Sequence, residues 1–169
     1  MSAEDRTLIM EVTTIEAAHL HALVAQFVDL LDATDAAAPD DPALARLVPD
    51  AYPGDREASA EFRRLTAGDI LGRRGTDARL VTDTLERTGP LPEAAGLAED
   101  EAVRVCTLTL SAEESEAWLR TLAAVRLVLA SRLGIQDEDD RADEDPRFLL
   151  YDWLGARLEA MIAAVDRGR

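Results

Sequence analysis

The chain has 169 residues, of which 47% are hydrophobic and 31% charged, a composition that excludes a disordered polymer and allows one hydrophobic core. The formal net charge of −16 repels polyanions, so nonspecific nucleic-acid binding through displaced counterions is disfavoured. No apolar stretch approaches the roughly 20 residues of a membrane span, and residues 1–6 lack the basic segment of a secretory signal. We therefore expect a single cytoplasmic domain, residues 1–169, without a membrane partner.

The first predicted unit is a strand followed by a helix, over residues 7–32. Residues 7–12 place Leu8, Met10 and Val12 on one face of an extended chain, which predicts a short strand. Thr13 and Glu16 have the spacing of a capping box, in which each side chain satisfies a free backbone N–H of the first helical turn. The helix then carries one apolar stripe, formed by Leu20, Val24, Phe27 and Leu31.

The middle of the chain is predicted to connect two such units. An Ala-rich acidic loop over residues 32–41 precedes a helical turn at 42–47, and prolines around Tyr52 predict an extended connection. Linking helices over residues 55–88 follow, one to Leu65 and one from Thr66. Three glycines weaken the second, and the two helices could also form one kinked rod. Residues 89–101 read as a loop.

The second strand–helix unit spans residues 103–134. A strand over 103–110 is followed by a capping box of Ser111 and Glu114, and Gly134 suits the helix end. The apolar stripe consists of Trp118, Leu122, Val125 and Leu129. Both units superpose at a constant offset of 98 residues, which indicates a duplication whose strands pair as a ribbon and whose helices pack their stripes together. Chance similarity of two amphipathic units is the alternative.

The last predicted element is a helix over residues 146–167. An acidic run at 137–145 reads as a solvated turn, and Asp145 with Pro146 forms a typical helix start. The predicted core-facing stripe is Leu150, Leu154, Leu158, Met161, Ile162 and Val165. The expected fold is therefore mainly α, a helical bundle of about five helices with a small two-stranded β-ribbon built from a duplicated strand–helix unit.

The histidines and acidic runs do not have the spacing of a metal site. His19 and His21 diverge by about 200° on a helix and cannot share one ion. The acids at 136–140 lack the central Gly and terminal Glu of a calcium loop. No nucleophile elbow, phosphate loop or dinucleotide fingerprint is present either. We expect no metal, no cofactor and no catalytic residue, and hence no enzyme.

Cys106 is the redox candidate. As the only cysteine it cannot form an intrachain disulfide, and its place on the inward face of the second strand favours an inert core thiol. The alternative is a redox-sensitive thiol that acts through an intermolecular bond or a small-thiol adduct.

The segment 55–79 is a local exception to the acidic composition, with six arginines against five acids. Within it Arg63, Arg64, Arg73 and Arg74 could form an anion-binding or partner-binding face. Ion pairs with neighbouring acids along the helix are the simpler interpretation.

Several segments together resemble one family. Residues 46–53 read RLVPDAYP, residues 57–58 read EA and residues 61–66 read EFRRLT; EAWL, RLVL and RLG follow at 116–119, 126–129 and 132–134. In this order they resemble an actinobacterial family of unknown function that includes AosR-type oxidative stress regulators. The resemblance implies a regulator that acts on transcription together with a sigma factor and is linked to a cysteine-biosynthesis gene cluster.

Redox sensing in such a regulator requires a thiol pair, which one cysteine cannot provide. No helix-turn-helix is evident, and the surface charge disfavours autonomous DNA binding. The leading hypothesis is thus a non-enzymatic regulator working through protein–protein contact, with a homodimer possible because an open ribbon leaves free edges. A direct DNA-binding transcription factor and an enzyme with an unrecognised site are the alternatives.

Overall fold

A computed structural model describes residues 7–34, 41–135 and 145–167 of the chain. Within these ranges the protein is mainly helical, with six α-helices and one two-stranded antiparallel sheet. The predicted class, a helical bundle with a small β-ribbon, is confirmed. Most of the predicted acidic loop at 32–41 and of the acidic turn at 137–145 lies outside the described residues.

The ribbon consists of β1 (Leu8–Thr13) and β2 (Val105–Leu110). The register runs from Leu8 opposite Leu110 to Thr13 opposite Val105. Strand β2 begins two residues later than predicted, because a one-turn helix, α4 (Glu99–Ala102), precedes it where a loop was expected.

The register reflects the 98-residue offset between the two units. In the repeat, Leu8 is equivalent to Cys106 and Leu110 is equivalent to Val12. Leu8 faces Leu110 in the ladder, and their equivalents Cys106 and Val12 face each other as well. Met10 and Leu108 are equivalent to each other and are also partners in the ladder. An approximate two-fold axis therefore passes through this central pair.

Helices α1 (Thr14–Asp32) and α5 (Ala112–Leu133) follow the strands, and both begin with the predicted capping box. Helix α5 ends at Gly134, whose φ of 73° is the left-handed conformation that glycine adopts without strain. The predicted stripes point inward. They are buried apart from Leu129, which is half-buried.

The middle segment contains α2 (Pro42–Ala45), a single turn, and α3 (Arg56–Glu86). The division of residues 55–88 into two helices is wrong and the alternative of a single rod holds, since α3 is one continuous helix of 31 residues. Its glycines do not break it, because tertiary packing offsets their low propensity: Ala67, Leu71 and Ala78 on the same helix are buried in the core.

The long helices pack around α3. It lies against both α1 and α5, and α6 (Leu149–Arg167), which a short 3-10 turn at Pro146–Phe148 precedes, packs along α5. Helices α1 and α5 touch each other only at a few positions. The two stripes contribute to the same core, but the predicted direct packing of α1 on α5 is largely replaced by packing of each on α3.

Helix α6 buries less of its stripe than predicted. Leu154 and Met161 are buried and Leu158 and Val165 are half-buried, but Leu150 is 40% exposed and Ile162 45% exposed. The prediction that these two side chains face the core is wrong: α5 is the long helix that packs along α6, and it covers neither of them.

Candidate functional site

The four arginines of the predicted anion- or partner-binding face all lie on α3 but do not share one side of it. Successive residues of an α-helix are turned by about 100°, so Arg64 and Arg73, nine residues apart, point in opposite directions. Arg63 and Arg74, eleven residues apart, point the same way. The helix therefore brings the arginines together in one pair at most.

Two of these arginines are held by ion pairs. Arg63 is half-buried and its Nη2 lies 2.9 Å from Oδ1 of Asp50 in the loop before α3. Arg64 is exposed and donates from Nε and Nη2 to both carboxylate oxygens of Glu61, at 3.0 and 2.7 Å. This bidentate pair lowers the pKa of Glu61, first through the hydrogen bonds and then through the charge of Arg64. The intrahelical pairing considered from the sequence thus holds for Arg64.

The other two arginines differ in burial. Arg73 is exposed and has no ion pair within the described residues. Arg74 is half-buried, and burial lowers its pKa although the nearby Asp77 counteracts the shift. The Asp77 carboxylate instead accepts two hydrogen bonds from Arg120 of α5, at 2.8 and 3.0 Å. Arg73 is the member of the set that is most available to a partner.

An exposed apolar strip that was not predicted lies on the N-terminal part of α3, about 12 Å or more along the helix axis from Arg73. Tyr52 and Phe62 stack edge to face with ring centroids 6.0 Å apart, and Leu65 follows Phe62 by three residues on α3. Leu65 is 63% exposed and Tyr52 51% exposed. Phe62 and Arg73, eleven residues apart, lie on the same side of the helix. We call this surface the α3 outer face: Tyr52, Phe62, Leu65 and Arg73.

The loop under this surface is fixed by buried Ser59. Its hydroxyl donates to the carbonyl oxygen of Tyr52 at 3.0 Å and accepts from the Tyr52 N–H at 3.3 Å. The N–H of Asp55 also donates to the Tyr52 carbonyl, at 3.1 Å, and Gly54 adopts a φ of 98°. Tyr52 is therefore held in place although its ring is exposed. The sequence signal for this fixed loop is the pair of prolines around Tyr52.

Cys106 lies on the inner face of the ribbon, opposite Val12, and is half-buried. Its Sγ is 3.7 Å from Oγ1 of Thr14, and this hydroxyl also donates to the carbonyl oxygen of Arg104 at 3.2 Å. The thiol packs against the core, as its place in the repeat predicts. A redox role for Cys106 stays a prediction.

The histidines occupy separate environments. His19 is exposed, whereas Nε2 of His21 lies 2.9 Å from Oε1 of Glu86 and links α1 to α3. No group of three or more metal-binding side chains occurs in the described part of the chain. Across residues 7–34, 41–135 and 145–167, no helix combines the length and apolar character needed to cross a bilayer.

Comparison with known proteins gives one result at the level of family. No curated protein and no solved structure matches the chain. A family model described as Domain of unknown function (DUF2017) matches residues 1–165, nearly the whole sequence. The chain therefore belongs to the DUF2017 family.

Proposed function

We propose that this protein is a non-enzymatic regulator of the oxidative stress response that acts on transcription through direct contact with a sigma factor. The proposal rests on the resemblance to AosR-type regulators from actinobacteria. Two of the segments that carry this resemblance, residues 46–53 and 61–66, supply Tyr52, Phe62 and Leu65 of the α3 outer face.

The single observation that supports a protein-binding role is the α3 outer face itself. Aromatic residues and arginine are enriched in the centres of protein interfaces, and exposed apolar side chains grouped on a highly charged protein are typical of a docking surface. Here the strip is on a helix whose start is fixed by hydrogen bonds at Asp55 and Ser59. Binding would therefore need little reordering of the backbone.

Direct DNA binding has less support. A phosphate backbone is recognised by basic side chains that face it together, whereas Arg64 and Arg73 point in opposite directions and Arg63 and Arg64 are neutralised by acids. A gel shift at low salt separates the two functions. We expect no shift of duplex DNA by the purified chain; a sequence-specific complex that weakens steeply with added salt would favour the DNA-binding alternative.

The experiment that tests the proposal measures binding of the purified chain to purified sigma factors of the same cell, by biolayer interferometry. We expect one sigma factor to bind, and Leu65→Asp to weaken binding by about tenfold or more because it places a charge in the apolar strip. Ala60→Asp is the matched control: Ala60 is exposed on another side of α3 and receives the same charge.

Two results would contradict the proposal. One is that no sigma factor binds the chain. The other is that Leu65→Asp and Ala60→Asp have equal effects, which would move the contact away from the α3 outer face. Loss of the peroxide response in cells that carry Leu65→Asp, but not in those that carry Ala60→Asp, would extend the result to regulation.

A further inference from the structure

The main-chain groups of β2 that point away from β1 have no partner among the described residues. The Thr14 N–H donates to the Arg104 carbonyl oxygen at 2.9 Å, so these two residues form a hydrogen-bonded pair that extends the ladder. Such pairs alternate along an antiparallel ladder, and Val105, Thr107 and Thr109 therefore direct their N–H and C=O groups outward. No described residue forms a hydrogen bond to those groups. Strand β2 thus presents an open edge.

The equivalent edge of β1 is partly closed. Arg157 of α6 donates a hydrogen bond to the outward carbonyl oxygen of Glu11 at 3.3 Å. Under the approximate two-fold symmetry of the ribbon, Glu11 is equivalent to Thr109. Within the described ranges no side chain donates to the Thr109 carbonyl, and α3 and α5 contact β2 only at a few positions. The two edges of the ribbon therefore differ in access.

The edge of β2 also lacks the features by which proteins usually protect an exposed strand. A charged side chain, a proline or a β-bulge on an edge hinders its pairing with another chain. Residues 105–110 contain no charge and no proline, and their register with β1 is continuous, without a bulge. Strand β1, in contrast, carries the exposed charge of Glu11. The edge of β2 is therefore suited to pair with a further strand.

The outer face beside this edge is rich in exposed β-branched side chains. Val105 is 58% exposed, Thr107 and Thr109 are exposed, and Val103, just before the strand, is 64% exposed. On the neighbouring strand Ile9, which faces Thr109, is 68% exposed. β-Branched side chains stabilise a sheet by contact with side chains on the same face of the next strand. A third strand with apolar side chains on this face would make such contacts.

Exposed acids flank both ends of β2. Helix α4 directly before it contains Glu99, Asp100 and Glu101, and Glu113 lies in the first turn of α5 directly after it. All four are exposed, and none has an ion pair among the described side chains. Arg104 is the one basic residue between them. Positive charge is therefore favoured at both ends of an added strand.

We propose that the β2 edge binds an extended segment of a partner protein, which adds to the ribbon as a third strand. Main-chain hydrogen bonds to Val105, Thr107 and Thr109 provide affinity, as in other cases of β-strand addition. The segment has β-branched residues in alternate positions, which match the exposed outer face of β2. It has lysine or arginine at both ends, where the acids of α4 and α5 lie.

A second copy of this chain fits the edge less well. Two β2 strands that pair antiparallel about Thr107 place Glu101 of one copy opposite Glu113 of the other, since both lie six residues from Thr107. These like charges repel each other, and the net charge of −16 on each copy adds to the repulsion. A basic segment meets attraction at the same two places.

The β2 edge is separate from the α3 outer face. Arg87, which follows α3, pairs with Glu114 in the turn of α5 directly after β2, whereas Leu65 lies about 30 Å earlier along α3. This proposal therefore does not depend on the contact with a sigma factor, and either proposal can fail without the other.

The first test measures the binding of three synthetic peptides to the purified chain by NMR titration. The probe is acetyl-KRVTVTVRK-amide, and acetyl-EDVTVTVDE-amide is its control for charge. The third peptide is the basic one with N-methyl groups on its five central residues, which cannot donate main-chain hydrogen bonds. We expect the basic peptide to bind and the other two to bind at least about tenfold more weakly. No binding of the basic peptide, or equal affinity of all three, would overturn the proposal.

Amide hydrogen exchange, followed by NMR, locates the added strand. We expect the amides of Val105, Thr107 and Thr109 to exchange about tenfold more slowly, or slower still, when the basic peptide is bound. The amides of Ile9 and Glu11, on the other edge, should not change. Protection of the β1 edge in place of the β2 edge would contradict the proposal.

Two proline variants separate the edges by affinity. Thr107→Pro and Ile9→Pro each remove one outward N–H that the ladder does not use, on β2 and β1 respectively. We expect Thr107→Pro to weaken binding of the basic peptide about tenfold and Ile9→Pro to leave it unchanged. Equal effects of the two prolines in folded variants, or a dimer that Thr107→Pro dissociates, would overturn the proposal.

A pair of charge reversals tests the flanking acids without a change in the strand. Glu101→Arg combined with Glu113→Arg should weaken binding of the basic peptide about tenfold. The matched control combines Glu57→Arg with Glu159→Arg, which make the same change of charge at exposed positions of α3 and α6. An equal loss of affinity in both double variants would show attraction by net charge alone and would contradict the proposed site.

Discussion

The indole Nε1 of Trp118 donates a hydrogen bond to Oγ1 of Thr84 at 2.8 Å, and both residues are 1% exposed. The Thr84 hydroxyl in turn donates to the carbonyl oxygen of Val81, also at 2.8 Å. This chain of two hydrogen bonds joins α5 to α3 in the core. It satisfies the polar atom of the largest buried side chain of the protein.

Replacement of Thr84 by valine should destabilise the protein. Valine has nearly the same shape but cannot accept a hydrogen bond, so the buried indole N–H loses its partner at a cost of about 1–3 kcal/mol. Urea unfolding monitored by Trp fluorescence measures the change. Thr84→Ser keeps the hydroxyl and should lose less; equal losses for valine and serine would mean that packing, and not the hydrogen bond, matters here.

Two helical glycines should respond differently to replacement by alanine. Gly72 is exposed with no atom within 4 Å of an added Cβ, so Gly72→Ala should stabilise α3 by about 1 kcal/mol through helix propensity. At Gly155 the added Cβ would lie 3.1 Å from Nε of Arg126, whose guanidinium covers the Tyr151 ring. Gly155→Ala should therefore leave the stability of the protein unchanged or lower it. Thermal unfolding of both variants checks this, and equal gains would contradict the close contact.

Acid should destabilise the protein through the two capping glutamates. Partial burial raises the pKa of Glu16, but hydrogen bonds from the Thr13 N–H and Arg157 outweigh burial and hold it below the ordinary value of 4.5. Burial and the bonds from Ser111 and Arg87 act in the same way on the pKa of Glu114. Because folding lowers both values, these carboxylates stabilise the fold fully above pH 4.5, and that stabilisation is lost as the pH falls further.

The urea midpoint, measured between pH 7 and pH 3, tests this expectation. Glu16→Gln and Glu114→Gln should each lower stability at pH 7 and flatten its decline below pH 4.5. The double variant should be flatter than either. An unchanged slope in the double variant would show that other carboxylates dominate acid unfolding.

Cys106 should react slowly with a bulky disulfide reagent. The thiol is half-buried on the inner face of the ribbon and lies against Thr14, so a thiolate there has limited access to solvent. We expect its reaction with dithionitrobenzoate to be at least about tenfold slower in the native protein than in urea. Comparable rates would favour an accessible redox thiol, and a peroxide response lost in Cys106→Ser would extend that result to function.

The local elements were predictable because their signals are local. Thr13 with Glu16 and Ser111 with Glu114 identify helix starts from pairs three residues apart, and the stripes identify the buried sides of α1 and α5. The pairing of helices was not predictable in this way. A stripe shows that a side is buried but not which helix covers it, so the place of α3 against both helices had no signal in either repeat.

The errors on α3 and α6 also have physical causes. The low helix propensity of glycine led to the prediction of two helices in place of α3. The packing of Ala67 and Leu71 in the core keeps the helix continuous in that region. Once α3 is continuous, Arg64 and Arg73 necessarily lie on opposite sides. On α6, Leu150 has the spacing of a core residue but is 40% exposed, because the spacing does not show how much of the stripe the neighbouring α5 covers. The exposed Leu65 could be found only after the stripe of α3 was known.

The ladder between β1 and β2 also constrains how the chain emerges from the ribosome. Leu8 pairs with Leu110, and even the closest pair joins Thr13 to Val105. At a translation rate of roughly 5–20 residues per second, the N-terminal strand waits several seconds for its partner to be synthesised. During that interval Met10 and Val12 are without the opposing strand, so nascent chains that end before β2 are the species on which a chaperone would act.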